Sequence, residues 1–288
     1  MNSRQYRVAA RCELLPYLIG LPADISRKQA KALLRFGAVT VAGKPDVRHD
    51  TRLERGDIVT IAERGPAGAT PSDLHGLKIV HLDDAIVVVN KPAGLLSMGS
   101  PREKDRTAHR LLNEYLKASA NSKMQQAFIV HRLDRETSGL MMFARSVAIQ
   151  AALQDNWKSI TKRYFAVVEG QPAAPQGTLT DHLIEDASMT VRRVAQGGEI
   201  AITHYRVLHG GAIRSLLELT LATGRKHQIR VQLAGLGHPV AGDKRYGAKS
   251  DPARRLALHS CELRFDHPVS GQAVELRSAL PERLRTLV

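Results

Sequence analysis

Cysteine is nearly absent from this chain. Cys12 and Cys261 are the only two among 288 residues, which excludes a disulfide framework and a cysteine metal quartet. Aromatic residues make up only 4%, with a single tryptophan, and this argues against a nucleic-acid platform built from many stacked rings. No uncharged apolar run approaches the roughly 18 residues of a membrane span. The N-terminal string MNSRQYRVAARCELL has no apolar segment followed by a small-residue cleavage site, so a cytoplasmic location is expected. Also missing are a Walker A string, a GxGxxG opening a helix and a His/Cys cluster. No nucleotide, metal or other cofactor is therefore expected. Acidic residues are outnumbered, 28 Asp and Glu against 42 Lys and Arg, for a formal charge of +14 and a pI near 10.1. Such a balance points to a polyanionic partner, with nucleic acid as the default. The hydrophobic fraction of 43% supplies an ordinary core.

A chain of this length reads as two domains. The strongest break is RGPAGATPSD at 64–73, rich in Gly, Pro and small polar residues. The expected division is 1–64, a linker at 65–74, and 75–288. Residues 1–70 carry 12 basic and 7 acidic residues, so both pieces are positive. In the first piece, CELLPYLI (12–19) suggests a helix kept short or bent by Pro16. A second helix starts at Ser26, with Gln29 placed for a capping box and Gly37 as a stop. Arg27, Lys31 and Arg35 recur at i, i+4 and i+8 on one face, with Ala30, Leu33 and Leu34 towards the other. Val39–Val41 and Asp57–Ile61 are strand-like. A basic helix followed by GAVTVAGK and RLERGDIVTI resembles the S4 RNA-binding module over about residues 12–62. That resemblance implies RNA docking through Arg27, Lys28, Lys31 and Arg35, and through Lys44 in the following hairpin.

From about Leu77 the pattern mixes strands and helices without a regular βαβ period. Strands are expected at Lys78–Leu82, Ala85–Val89, Phe128–Val130, Leu140–Phe143, Arg163–Val168 and 214–223, and helices at 107–117 and from the Ser146 cap to about Ile160. The fold class is α+β, a mixed and mostly antiparallel sheet behind a small N-terminal α/β module.

Between two apolar strands lies His131-Arg-Leu-Asp-Arg-Glu-Thr-Ser-Gly139, with Arg132, Asp134, Arg135 and Glu136 charged. A generic loop of this kind solvates its charges and uses Asp134 and Thr137 to satisfy turn amides. The string itself, however, resembles the signature of the RluA-type pseudouridine synthases, which isomerise uridine in RNA. Four further segments resemble that family in the right order: VNKPAG (89–94), KRYFAVVEG (162–170), TGRKHQIR (223–230) and GDKRYG (242–247), followed by Leu258-His259. The resemblance spans roughly 77–285. It implies that Asp134 is the essential carboxylate, Tyr164 the ring against the target base, and Arg230 the partner of the aspartate.

That chemistry suits the residues. Isomerisation breaks C1′–N1, turns the bound uracil, re-bonds C1′ to C5 and releases the C5 proton, with no redox change. It needs one ionised carboxylate near C1′, as nucleophile or as a base at C2′. A dry site would push that carboxylate towards its neutral form. Arg230 opposes this with a charge-assisted bond of possible two-point geometry, which lysine could not copy. The cleft floor is thus expected to hold a single anion, Asp134. The Tyr164 phenol is available for the C5 proton. Gly224 could bring backbone amides close to a phosphate. Arg225, Lys226 and His227 suit the RNA backbone, and Arg132 the nucleotide being displaced, while Lys91 and Pro92 read as structural. Two positions depart from the family pattern, Gln232 in place of the usual His and Ser260-Cys261 after His259. A glycosidase would need a second carboxylate, for which Glu136, two residues from Asp134, is the candidate. A catalytically silent RNA-binding or assembly factor is the non-enzymatic alternative. The layout resembles enzymes acting on large-subunit ribosomal RNA, with tRNA as the second candidate, and a monomer is expected.

Overall fold

The computed structural model describes residues 3–22, 25–35, 38–44, 47–62, 74–100, 103, 106–118 and 126–288. Gly37 and all of the expected linker except Leu74 lie outside these residues, as do the side chains of Lys28 and Arg35. Among the described residues, no helix is long and apolar enough to cross a membrane.

Two compact units form. The first comprises Met1–Val89, Met98–Val130 and Met142–Gln150, and the second Asn90–Ser97, His131–Met141 and Ala151–Val288. In the first unit the chain runs through β1 (Ser3–Arg7), β2 (Cys12–Glu13), α1 (Leu14–Ile19), α2 (Arg27–Arg35), β3 (Val39–Val41), β4 (Arg52–Leu53) and β5 (Ile58–Ala62). β5 pairs antiparallel with both β1 and β3. This module has its own core, including Leu14, Leu18, Leu33, Val39, Leu53 and Val59, each no more than 1% exposed. The capping box closes as the sequence suggests. Gln29 N donates to Ser26 Oγ at 3.2 Å, and Ser26 N to Gln29 Oε1 at 2.9 Å. α2 turns Ala30 and Leu33 inward while Arg27 and Lys31 stay exposed. The same unit holds β6 (Lys78–Leu82), α3 (Ala108–Ala118), β8 (Phe128–Ile129) and most of β7 (Ile86–Lys91). The Thr107 hydroxyl accepts from Arg110 N at 3.2 Å and starts α3.

The second unit is a large sheet in the order β12-β11-β13-β14-β10-β15-β9, with β16 beside β15. Its members are β9 (Ser138–Ala144, in this unit as far as Met141), β10 (Thr161–Glu169), β11 (Gln176–Glu185), β12 (Val191–Val194), β13 (Glu199–His209), β14 (Arg214–Leu221), β15 (Leu258–Asp266) and β16 (Ala273–Arg277). Pairing is antiparallel throughout this stretch except between β15 and β9. The α+β, mostly antiparallel expectation holds. α4 (Val147–Asp155) is capped by Ser146 Oγ, which accepts from Ile149 N at 3.2 Å. It ends five residues earlier than expected. Asn156 Nδ2 takes the carbonyl of Ala152, Trp157 N turns back to Gln154 O, and Lys162 Nζ claims the carbonyl of Trp157.

One helix positions the chemistry. α5 (Gln228–Gly235) lies on the β11/β12/β13 end of the sheet, where Val231 joins Leu183, Val191 and Ala201 in a small core. Two buried glutamines bolt it down. Gln228 Nε2 donates to Ile202 O (3.0 Å) and Thr203 Oγ1 (2.9 Å), and Gln232 Nε2 to Ala201 O (3.0 Å) and Asp181 Oδ2 (3.0 Å). Gln232, the family departure, therefore points into the sheet. Cross-strand partners share a face. Tyr164 pairs with Leu219, and Leu219 with Tyr205. These lie in the same face as Ala201 and Thr203, so Tyr164 stands on the side that α5 covers.

Candidate active site

The loop 131–139 is held on both flanks of Asp134 by the segment 90–97. On one flank, Ser97 Oγ donates to Leu133 O at 2.6 Å and accepts from Leu133 N at 3.1 Å. On the other, Lys91 Nζ donates to the carbonyls of Arg135 (3.0 Å), Leu95 (2.7 Å) and Pro92 (3.0 Å), and Gly94 N to Arg135 O at 2.9 Å. Lys91 is 0% exposed. Burial pushes its ammonium down to about 7, against the pull of Glu136 and Asp134. It is structural, as expected, and it ties the 131–139 loop to the segment 90–97. The motif must end in glycine. Gly139 has φ +115°, and a Cβ there would stand 2.1 Å from the Ser260 carbonyl oxygen.

Opposite the loop, α5 presents Arg230. Its Nη1 donates to Asp134 Oδ2 at 2.9 Å. The two-point fork foreseen for Asp134 goes elsewhere, to Asp243, with Nε to Oδ2 at 2.7 Å and Nη2 to Oδ1 at 2.9 Å. The floor thus holds two carboxylates, where the sequence suggested one. The Asp243 side chain is 1% exposed and that of Arg230 12%. Burial works against the guanidinium charge, but the bonds and charge of Asp243, with Asp134 after it, raise the Arg230 pKa above its ordinary value. The guanidinium carbon lies 5.0 Å from the Tyr246 ring centroid, within cation–π range.

His227 completes the cluster. Its Nε2 lies 3.7 Å from Asp134 Oδ2, and its Nδ1 2.7 Å from Tyr246 Oη. It caps α5 with a left-handed backbone, φ 52°, a conformation that persists in non-glycine residues only where the surroundings enforce it. Burial, opposed by Asp134, lowers its imidazole pKa. Tyr164 is 8% exposed. Burial raises its phenol pKa, the Ser260 hydroxyl acts in the other direction, and the Asp134 charge adds to the rise. The ring is set by a β-bulge: Arg163 faces Glu262, Tyr164 faces Ser260, and Cys261 is the extra residue. The second family departure is therefore the bulge that seats the tyrosine. Beneath it, His259 is 1% exposed, with Nδ1 2.8 Å from Ser138 Oγ and Nε2 3.0 Å from Ser278 Oγ.

Asp134, Tyr164 and Arg230 all belong to the second unit, and the Asp134–Arg230 contact is made. The neighbouring basic residues are placed differently. Arg225 pairs with Glu199 and donates to Ile200 O, while Lys226 pairs with Glu185. Arg132 is exposed at the start of the loop. Arg27, Lys31 and Lys44 are exposed in the first unit. Asp243 and Tyr246 were not singled out from the sequence. Their only signal was the string GDKRYG, in which an aspartate after glycine reads as a turn residue.

Residues 85–235 match the RNA pseudouridylate synthase family. This chain belongs to that family. It is 34% identical over 284 residues to the RNA pseudouridine synthase YlyB of Bacillus subtilis, covering 94% of this chain and 91% of that protein. It is also 34% identical over 281 residues to the ribosomal large subunit pseudouridine synthase D of Vibrio cholerae, covering 90% and 85%. Among solved structures, human RNA pseudouridylate synthase domain containing 4 aligns with a TM-score of 0.60 at 26% identity, covering 72% of this chain and 93% of that one. The pseudouridine synthase fold and activity expected from the motifs are those of the family.

Proposed function

We propose that this pseudouridine synthase acts on large-subunit ribosomal RNA, with Asp134 as its catalytic carboxylate, Arg230 as the group that aims it and Tyr164 as the ring against the uracil. The observation that carries the site assignment is the 2.9 Å contact between Arg230 and Asp134, two residues 96 apart in sequence. The ribosomal reading is supported by relatives named ribosomal large subunit pseudouridine synthase D in Vibrio and Yersinia, at 34% identity over more than nine-tenths of this chain in the Yersinia case.

The residues divide the work as follows. The target uridine leaves its stack at a cost of about a few kcal/mol, which loops and bulges keep low. The S4-like first module offsets that cost by docking RNA with Arg27 and Lys31, joined by Lys28, Arg35 and Lys44. Arg132, Arg225 and Lys226, all exposed, meet the RNA backbone, with His227 beside Asp134. Asp134 is 29% exposed at its side chain, open enough to meet the ribose of a flipped nucleotide. It acts on C1′ directly or on the C2′ proton, and the single Arg230 bond aims it in either case. Tyr164 stays a neutral phenol at physiological pH because burial raises it, so it serves as a packing surface with a hydroxyl edge while the uracil turns.

Single-turnover tritium release from C5-tritiated ribosomal RNA, with the strand left intact, tests the reading. Release confined to tRNA would replace the ribosomal substrate, and free uracil would indicate a hydrolase. Substituting Arg27 and Lys31 by Gln should lower the salt slope of RNA binding by about two. An unchanged slope would remove them from the RNA contact.

A further inference from the structure

We propose that Asp243 is a positioning residue for the isomerisation, and that it determines which oxygen of Asp134 meets the substrate. This rests on the reading of Asp134 as the catalytic carboxylate. An arginine and a carboxylate left to themselves close a two-point fork, which occupies both oxygens. Here the Nε/Nη2 edge is already taken by Asp243 at 2.7 and 2.9 Å. With the guanidinium plane set by that fork, Arg230 meets Asp134 end-on through Nη1 alone, which reaches Oδ2 at 2.9 Å. The imidazole Nε2 of His227 approaches the same Oδ2, at 3.7 Å. Among the described residues nothing donates to Oδ1, and Oδ1 is the oxygen left for the ribose.

The arm that holds Arg230 is rigid. Asp243 N donates to Val240 O, and the Asp243 carbonyl accepts from the amides of Tyr246 and Ala248. Gly242 before it has φ +82°, and a Cβ there would stand 2.3 Å from the Arg255 carbonyl oxygen, so the turn admits no other residue without moving. Tyr246, three residues on, lies against the guanidinium.

The test uses the full-length protein with C5-tritiated, unmodified ribosomal RNA transcript, under single turnover, with RNA affinity and thermal melting measured in parallel. Asp243→Asn should slow release about 100-fold and leave the RNA Kd within about twofold. Asp243→Glu keeps the charge but displaces Arg230, and should also slow release with the RNA Kd kept. Release within about threefold of wild type in Asp243→Asn would overturn the proposal. So would a loss confined to RNA affinity, or a rate loss that follows the melting temperature. If neither variant folds, Asp243 belongs to the stability of the fold and the proposal is again overturned. Absence of release from the wild type would contradict the ribosomal substrate reading itself, and this assignment with it.

Discussion

Arg225 reaches Glu199 with its side chain 38% exposed, whereas Arg230, in the same motif, is 12% exposed and stands between Asp134 and Asp243. Residue type and local sequence are alike in the two places; burial and the number of carboxylate partners are not. At the rim an ion pair exchanges one set of solvated partners for another and is worth about 0–1 kcal/mol. On the floor the same guanidinium cannot return to water, so its geometry is imposed by two carboxylates and by the aromatic ring beside it. The rim pair can exchange its partner at little cost. The floor cannot release its charge without exposing a buried carboxylate.

Arg230→Lys should break the comparison most severely. The lysine keeps the charge but cannot span Asp243 and Asp134 together, and the single-turnover rate should fall by on the order of 100-fold with RNA affinity kept. A lysine enzyme within a few-fold of wild type would mean that charge alone, without the fork, suffices. Lys91→Met comes next. It removes the donor shared by the carbonyls of Pro92, Leu95 and Arg135, and should lower the melting temperature by roughly 5–10 °C, with a smaller loss of rate. An unchanged melt would show that the loop is held by Ser97 and Gly94 alone.

His259 sharpens the account through pH. Burial, with the charge of Arg255 second, pushes its imidazole down to about 4 from 6.5. Between those values the unfolded chain binds the proton and the folded one does not. The contribution is present above pH 6.5 and lost as pH falls towards 4, by on the order of 3 kcal/mol at full extent. His259→Gln should therefore flatten the acid slope of stability measured by denaturant unfolding, and an identical slope would place the acid sensitivity elsewhere. Arg225→Gln with Lys226→Gln should be mildest, weakening RNA binding a few-fold and reducing its salt slope by up to about two with the rate at saturation unchanged. A large rate loss would move these residues from the rim to the reaction.

Where sequence and structure agree, a local chemical reason made the pattern readable. The capping box of Ser26 and Gln29 specifies a helix start by its own hydrogen bonds. The alternation of Leu217, Leu219 and Leu221 reports a strand with one covered face. Reading failed where exposure contradicts side-chain type. β13 buries Ala201, Thr203 and Tyr205 while Ile200 and Leu208 are exposed, so no apolar period marks it, and β11 and β12 beside it went unread with it. The helix expected to run to Ile160 failed for a different reason, since Asn156 Nδ2 takes the carbonyl of Ala152 and Trp157 N turns back to Gln154 O just past its end. At the site, the Asp134, Tyr164 and Arg230 assignments came from motifs. Asp243 did not, because its importance lies in an arginine 13 residues away that only the fold brings to it.

The central claim is that Asp134 carries the reaction while RNA binding is built elsewhere. Asp134→Asn preserves size and can still accept from Arg230, so it isolates the charge. Tritium release from C5-tritiated ribosomal RNA under single turnover should fall to background, with the RNA Kd within about twofold of wild type. Release at the wild-type rate would contradict the account outright.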